Sequence, residues 1–219
     1  MTPVEIELAA RQLYNADGDN NWSTAEIMTL IYKACLEVVR ECGLVIEKKY
    51  QATTTAGVGE YSFPTNAIGL KRVTFNGKKL GVITFREDDS LTIENQLTTA
   101  TGEPSYYAIW SDVIYLRPIP SSAGTLQIFA TANPQAVTDT SALEVPTNIH
   151  GGIVDAVVAD MAAKDQNFEM ARYYRNLWDN PDTGHKAQFR RFLRRNKRAD
   201  AFAVVQVEEL LPYGSLGSQ

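Results

Sequence analysis

The most unusual stretch of the chain is a run of positive charge, KAQFRRFLRRNKR, at residues 186–198. The whole chain has a formal net charge of -5. Helical periodicity groups Phe189, Phe192 and Leu193 into a narrow apolar seam and leaves a broad cationic face. We therefore predict an amphipathic helix with a binding surface, and its candidate residues are Lys186, Arg190, Arg191, Arg194, Arg195, Lys197 and Arg198.

Three roles for this basic segment remain open. A solvated helix is the simplest, but like charges at i,i+4, such as Arg190 with Arg194, destabilise an isolated helix by a few tenths of a kcal/mol, about 0.2–0.5 per pair. A negative partner would relieve that repulsion. DNA is one such partner, and neutralising about six phosphates would give a log–log salt slope near -5. The other is acidic protein surface, because the chain has 26 acidic residues against 21 basic ones.

Residues that could support catalysis or hold a metal are few. His150 and His185 are the only histidines and lie outside any H-E-x-x-H context. Cys35 and Cys42 are seven residues apart on one predicted helix, about 10 Å along its axis, which is too far for a disulfide. We predict no catalytic residues, no metal site and no cofactor, and interpret both cysteines as buried thiols.

Two further groups of residues have alternative interpretations. Glu87, Asp88 and Asp89 lie in a weakly patterned stretch, FREDDSLTIENQL, which fits a solvated acidic loop or a protein-binding loop. Tyr106, Tyr107, Trp110 and Tyr115 could form a stacking platform for bases or sugars, but alternation in a strand favours a place in the sheet core.

The N-terminal region is predicted to form two helices. Thr2 to Tyr14 has an apolar face and suits a helix that begins with Pro3 and Glu5. Ser23 and Glu26 form a capping-box pattern before a longer apolar stripe, and Gly43 is placed to end that helix. The stripe contains Ile27, Leu30, Ile31, Ala34, Cys35, Val38, Val39 and Cys42.

From Leu44 to about Ala132 the pattern alternates in short runs, which predicts antiparallel strands. Asn76-Gly77 and Trp110-Ser111-Asp112 are placed to form hairpin turns. Helical periodicity then returns in two stripes before the basic segment. The first contains Ile149, Ile153, Val154, Val157, Val158 and Met161, and the second contains Met170, Tyr174, Leu177 and Trp178.

These patterns predict an α+β fold in which N- and C-terminal helices form one bundle around an inserted antiparallel, β-sandwich-like domain. The predicted boundaries are 1–43 with 146–199 for the discontinuous bundle, 44–145 for the β domain and 200–219 for an extended C-terminal tail. No apolar run approaches the roughly 18 residues that cross a bilayer, and the N-terminus lacks the pattern of a secretory signal. We expect a protein made in the cytoplasm that does not enter a membrane.

Residues 59–178, when their motifs are considered together and in order, resemble the head-to-tail adaptor (connector, or gateway) proteins of tailed bacteriophages. The resemblance lies in GEYSFP with Tyr61 and Pro64, the Asn76-Gly77 turn, TGEPSYY with Gly102, Pro104 and Tyr107, and LRPIP with Leu116, Pro118 and Pro120. A helix pair that closes with Tyr174 and Trp178 completes it. These motifs are structural turns and not catalytic signatures.

The resemblance implies a non-enzymatic virion structural protein in the neck, between the capsid portal and the tail. Such adaptors form rings, usually twelve-fold, that bind the portal on one side and tail or nozzle proteins on the other, and DNA passes through the lumen. We expect the basic segment to meet a neighbouring subunit or line the DNA channel, and the acidic residues 87–89 to meet the tail. Portal docking is expected from the tail residues Phe202, Val204, Val205, Val207, Leu210 and Leu211.

The principal alternative is a DNA-binding protein without sequence specificity that uses residues 186–198. A hydrolase or a sugar-binding β module ranks behind both.

Overall fold

The computed structural model describes residues 1–15, 22–84, 100–198 and 206–210. The chain divides into two compact units. The helical unit comprises Met1–Ile46 and Asn133–Val205, and the β unit comprises Glu47–Ala132 and Gln206–Gln219. The described helices and strands give an α+β fold, as the sequence predicted.

Five α-helices form the described part of the helical unit, with a 3₁₀ turn at Thr147–Ile149 before the third. They are α1 (Pro3–Tyr14), α2 (Thr24–Cys42), α3 (His150–Lys164), α4 (Phe168–Asp179) and α5 (His185–Arg198).

The first two helices begin and end as their sequences predict. Thr2 and Glu5 form a reciprocal capping box at the start of α1, and Ser23 and Glu26 form another at the start of α2. In each, the cap hydroxyl accepts from a backbone N–H while the glutamate accepts from the cap N–H. Gly43 ends α2 with φ of 72°, a left-handed conformation that glycine adopts without strain.

The third helix is the centre of the helical unit. The predicted stripe of α3 is buried, but its other faces are buried as well, including Ala156, Ala159 and Ala162. Helices α1, α2 and α4 all pack against it. The small alanine side chains let these neighbours approach closely, so α3 is apolar nearly all round and not amphipathic.

The β unit contains eleven short strands within the described residues. They are β1 (Ile46–Thr53), β2 (Glu60–Ser62), β3 (Ala67–Phe75), β4 (Lys78–Lys79), β5 (Gly81–Val82), β6 (Thr101–Gly102), β7 (Tyr106–Trp110), β8 (Val113–Arg117), β9 (Ile119–Pro120), β10 (Thr125–Ala132) and β11 (Gln206–Leu210).

Two sheets share one core in this unit. One has the order β11-β1-β10-β3-β4 and the other β2-β8-β7-β5, with a small β6-β9 pair beside them. Tyr50, Val73 and Ile128 of the first sheet and Ile114 and Leu116 of the second belong to the same buried cluster. Side chains from two inner faces therefore fill one interior, which is the sandwich-like arrangement that the sequence predicted.

The predicted hairpin turns are present. Asn76 and Gly77 have φ of 48° and 81° and connect β3 to β4, while Ser111 and Asp112 have φ of 46° and 62° and connect β7 to β8. Positive φ at both central residues matches the twist of a two-residue hairpin loop. Strand pairing is not purely antiparallel, however, because β5 with β7, β6 with β9 and β1 with β11 are parallel.

Two segments lie elsewhere than the predicted boundaries place them. Residues 133–145 were assigned to the β domain, but Val137, Leu143 and Val145 pack against the core of the helical unit. Gln206–Leu210 were assigned to a separate tail, but they form β11 beside β1. Both differences come from contacts between segments far apart in sequence, which local periodicity does not report.

Candidate interaction surface

Helix α5 is held by an apolar seam, as its sequence predicts. Phe189 and Leu193 are 3% and 8% exposed and belong to the core of the helical unit. Phe192 is 37% exposed, and its ring stacks on Phe189 with centroids 6.0 Å apart. The inner side of α5 is thus fixed by packing, and the opposite side is available to solvent.

The first turn of α5 lies against α3 because Gly152 has no side chain. A Cβ atom at Gly152 would stand 2.6 Å from the Cβ of His185 and 2.9 Å from Cζ3 of Trp178. On the same contact, Nε2 of His185 lies 2.8 Å from Oδ2 of Asp155. Burial raises the pKa of Asp155, although the hydrogen bond and charge of His185 act in the opposite direction.

Lys186 differs from the arginines at positions 190, 191, 194 and 195 of the basic segment, because its side chain is only 6% exposed. Its Nζ lies 2.6 Å from Glu41 Oε2 and 3.5 Å from Glu37 Oε2, and it also pairs with Asp179. The ammonium stands 5.5 Å from the centroid of the Trp178 ring. The prediction that Lys186 belongs to the exposed cationic face is therefore wrong, since carboxylates of the chain itself surround it.

The charge of Lys186 is stabilised despite its burial. Burial acts to lower its pKa, but the hydrogen bonds that Lys186 donates to Asp179 and Glu41 and the charges of Asp179 and Glu37 outweigh it, so the pKa is raised. Burial likewise acts to raise the pKa of Glu37. Hydrogen bonding from Trp178 and the charges of Arg175 and Lys186 prevail, and the pKa of Glu37 is lowered.

A second cation and an indole complete this network. Nε1 of Trp178 donates to Glu37 Oε2 over 2.8 Å, and Nε of Arg175 donates to Asp179 Oδ2 over 2.5 Å. Arg175 also reaches both carboxylate oxygens of Glu37 at 3.3 Å. Helices α2, α4 and α5 are therefore joined by one charged cluster whose partners compensate each other.

The outer side of α5 presents arginines. Arg191, Arg194 and Arg195 are exposed, and Arg191 donates to the backbone carbonyl of Asp182 over 2.6 Å. Arg190 is half-buried, and its Nε donates to the backbone carbonyl of Glu41 over 3.2 Å. Lys197 and Arg198 lie in the last turn, and their side chains are outside the described part of the structure.

An arginine that the sequence did not single out joins this surface. Arg40, in the last turn of α2, lines a pocket of 240 Å³ together with Arg190 and Arg194. Glu41, Cys42 and Leu193 also line it. Arg40 is about 150 residues away in the chain from its companions, so only the packing of α5 on α2 brings the three together. No local motif reports that pairing.

Comparison with known families decides what kind of protein carries this surface. A family model described as SU10 adaptor protein matches residues 1–207. The chain belongs to the SU10 adaptor protein family. The resemblance to phage head-to-tail adaptors found in the sequence is thereby confirmed, and the chain is a phage adaptor protein. No curated protein matches it.

The two histidines of this adaptor have different partners. Nε2 of His150 lies 2.9 Å from the carbonyl oxygen of Val145, whereas Nε2 of His185 lies against Asp155. Cys35 is buried and burial raises the pKa of its thiol to about 12, while Cys42 is half-buried in the wall of the arginine pocket. Among the described residues, no cluster of three or more histidine, cysteine or carboxylate side chains is arranged for a metal.

The aromatic hairpin of the adaptor divides between core and surface. Tyr107 is 7% exposed and packs in the sheet core, as predicted, whereas Tyr106 and Trp110 are 47% and 56% exposed. The prediction of a core position is wrong for Tyr106 and Trp110, because both side chains are largely exposed. The ring of Tyr106 lies beside Gly81 of the neighbouring strand. The guanidinium of Arg117 lies 5.6 Å from the centroid of the Tyr115 ring.

Several predicted contact residues of the adaptor lie outside the described residues. These are Glu87, Asp88 and Asp89 of the acidic stretch and Phe202, Val204, Val205 and Leu211 of the C-terminal segment. Val207 and Leu210 lie in β11. No helix in the described part of the chain is both long enough and apolar enough to span a membrane.

Proposed function

We propose that this adaptor forms a ring, of twelve copies as in the family it resembles, in the neck of the virion between the portal and the tail. DNA would pass through its lumen without sequence-specific contacts, and the protein would be made in the host cytoplasm before assembly. Its role is structural, with no catalytic step and no cofactor. The family match over residues 1–207 is the observation that carries the proposal.

The distribution of charge supports assembly through unlike surfaces. The chain has 26 acidic and 21 basic residues, yet Arg190, Arg191, Arg194 and Arg195 are concentrated on one helix. Neighbours in a closed ring meet through two different patches, so a basic patch on one copy can face acidic surface on the next. The buried Lys186 network would keep α5 in the position that presents those arginines.

The remaining predicted contacts belong to the same proposal. Glu87, Asp88 and Asp89 would meet the tail or nozzle protein, and residues between Phe202 and Leu211 would meet the portal. Strand β11 is the last strand of its sheet, and its outer edge leaves backbone groups that a portal strand could pair with.

Mass photometry of the purified chain with and without the portal protein of the same phage tests the proposal. A ring-sized species that forms on the portal would support it. A chain that stays monomeric and ignores the portal at low and moderate salt would refute it.

The alternative function is binding of DNA without sequence specificity through residues 186–198, and it is supported by Arg191, Arg194 and Arg195, which are exposed among the described side chains of α5. With about three phosphates neutralised, the log–log salt slope would be near -3. Fluorescence anisotropy of the monomer with a labelled duplex at several salt concentrations measures that slope. A flat salt response would remove this alternative.

A further inference from the structure

The pocket beside the C-terminal end of α2 brings together three arginines from two helices. Arg40 comes from the last turn of α2, and Arg190 and Arg194 come from one face of α5. The pocket has a volume of 240 Å³, and Leu193, which is 8% exposed, forms an apolar part of its wall.

The pocket carries excess positive charge. Glu41 is the single acidic residue among the described residues that line it, and the carboxylate of Glu41 already pairs with Lys186 over 2.6 Å. Arg190 approaches that carboxylate only to 4.0 Å. Three arginines therefore line the pocket with one carboxylate, and the closest partner of that carboxylate is a fourth cation, Lys186.

We propose that this pocket binds a carboxylate side chain from a second copy of the chain. A guanidinium can donate two parallel hydrogen bonds to a carboxylate, and two or three of them around one pocket would enclose it. The apolar wall at Leu193 would contact the methylene groups of the incoming aspartate or glutamate. The inference rests on the proposed ring, because the arginine pocket of one copy would bind a carboxylate on a different surface of its neighbour, and such unlike contacts are those of a ring.

A second copy fits this pocket better than DNA does. Outside residues 186–198 the chain has many more acidic than basic residues, so the surface of a neighbour offers carboxylates. A phosphodiester backbone has regularly spaced negative charges along its length, so it would contact the exposed Arg191 and Arg195 as strongly as the residues of the pocket. The pocket is lined by Arg40, Arg190 and Arg194 and not by Arg191 or Arg195. This compact group of arginines therefore suits a single anionic side chain better than an extended backbone.

Charge reversal with a matched control tests the pocket. Arg40→Glu and Arg194→Glu each reverse a charge within it, and Arg172→Glu makes the same change at an exposed arginine of α4, outside the basic segment. With wild-type portal present, we expect the first two variants to raise the concentration needed for assembly at least tenfold and Arg172→Glu to raise it less than threefold. Circular dichroism confirms that each variant is folded.

Cross-linking identifies the partner. The Arg40→Lys variant keeps the charge and adds a primary amine, so a carbodiimide joins it to any carboxylate in direct contact. Mixed ¹⁵N-labelled and unlabelled copies distinguish cross-links between subunits from those within one. We expect heavy–light peptide pairs that join position 40 to an aspartate or glutamate of the other copy.

The outcomes separate this inference from the proposed function. If wild type forms rings and all three charge-reversal variants assemble equally well, the pocket proposal is overturned and the ring stands. If wild type forms no ring, both proposals fall. If Arg40→Glu and Arg194→Glu lose DNA binding, Arg172→Glu keeps it and cross-links between copies are absent, the surface is a nucleic-acid contact and the pocket proposal is wrong.

Discussion

Basic residues have different roles on the inner and outer sides of α5. Lys186 is enclosed by Glu37, Glu41 and Asp179, whereas Arg194 and Arg195 extend into solvent from the same helix. In sequence they are equivalent members of one basic run. The difference shows that a dense run of charge can contain both an anchor, which is neutralised within the chain, and a surface that remains available to a partner.

The largest contrast within α5 is expected between the two phenylalanines of its apolar seam, one deeply buried and one at the edge of the seam. Phe189→Ala removes a ring that is 3% exposed and should lower the free energy of unfolding of the helical unit by about 3–4 kcal/mol. Phe192→Ala removes one that is 37% exposed and should cost about 1 kcal/mol. Urea denaturation followed by circular dichroism measures both, and equal losses would contradict the assigned orientation of α5.

Gly152 tests how closely the inner side of α5 approaches α3. Gly152→Ala would place a methyl group 2.6 Å from His185 Cβ, so we expect a loss of about 2 kcal/mol through overpacking. Gly151→Ala is the matched control, because nothing lies within 4 Å of a Cβ there. That neighbouring change should be neutral or stabilising by a few tenths, up to about 1 kcal/mol, since alanine favours a helix. Thermal unfolding of the two variants, compared with wild type, measures both changes in stability.

Lys186→Met should cost about 2 kcal/mol. It leaves Glu41 without its closest cation and leaves Glu37 and Asp179 with Arg175 as their remaining cation. Removing one partner of a buried ion pair costs about 3–5 kcal/mol. We expect less here because the side chains of Glu41 and Asp179 are 47% and 37% exposed. The midpoint of urea unfolding measures the loss. An unchanged midpoint would show that packing alone holds the inner side of α5.

The Lys186 network also predicts how that loss depends on pH. The folded-state pKa of Lys186 is raised, so its contribution is complete below its unfolded pKa of about 10.4 and disappears as pH rises through the folded value. The pKa of Glu37 is lowered, so its contribution is complete above about 4.3 and disappears as pH falls through the folded value. The stability difference between wild type and Lys186→Met should be widest between about pH 5 and 10. A difference that stays constant to pH 3 would exclude Glu37 as a partner.

The smallest effect on folding is expected on the outer side. Arg195→Gln should change the free energy of unfolding by less than about 0.5 kcal/mol, because the side chain is exposed. Arg191→Gln, which also loses a hydrogen bond to the carbonyl of Asp182, is the comparison. A loss above about 1 kcal/mol for Arg195→Gln would show that the outer side is also part of the fold.

The sequence predicts the parts of this molecule that local patterns encode. Ser23, Glu26 and Gly43 fix the ends of α2, Asn76-Gly77 fixes a hairpin, and the seam at Phe189 and Leu193 is read from helical spacing. Each of these signals acts within a few residues, so the physical cause is present in the local sequence.

Features that depend on distant segments could not be predicted in this way. The burial of Lys186 requires Glu37 and Glu41 from α2, and the pocket requires Arg40 from the same helix. The strand β11 forms only because β1 offers an edge. A single sequence contains the residues for these contacts but no local pattern that pairs them.

The helical unit is built from both ends of the chain, with the sheet strands of residues 47–132 between them. On a translating ribosome, α1 and α2 are synthesised before α3, the helix on which both pack. At about 5–20 residues per second, several seconds pass before α3 has been made. During that interval α3 is not there to pack against the apolar stripe of α2. Most strands of the β unit have by then been synthesised together with the strands that they pair with. Synthesis order therefore leaves the bundle that carries the arginine surface incomplete until most of the β unit has been made, and β11, which follows α5 in the chain, completes its sheet afterwards.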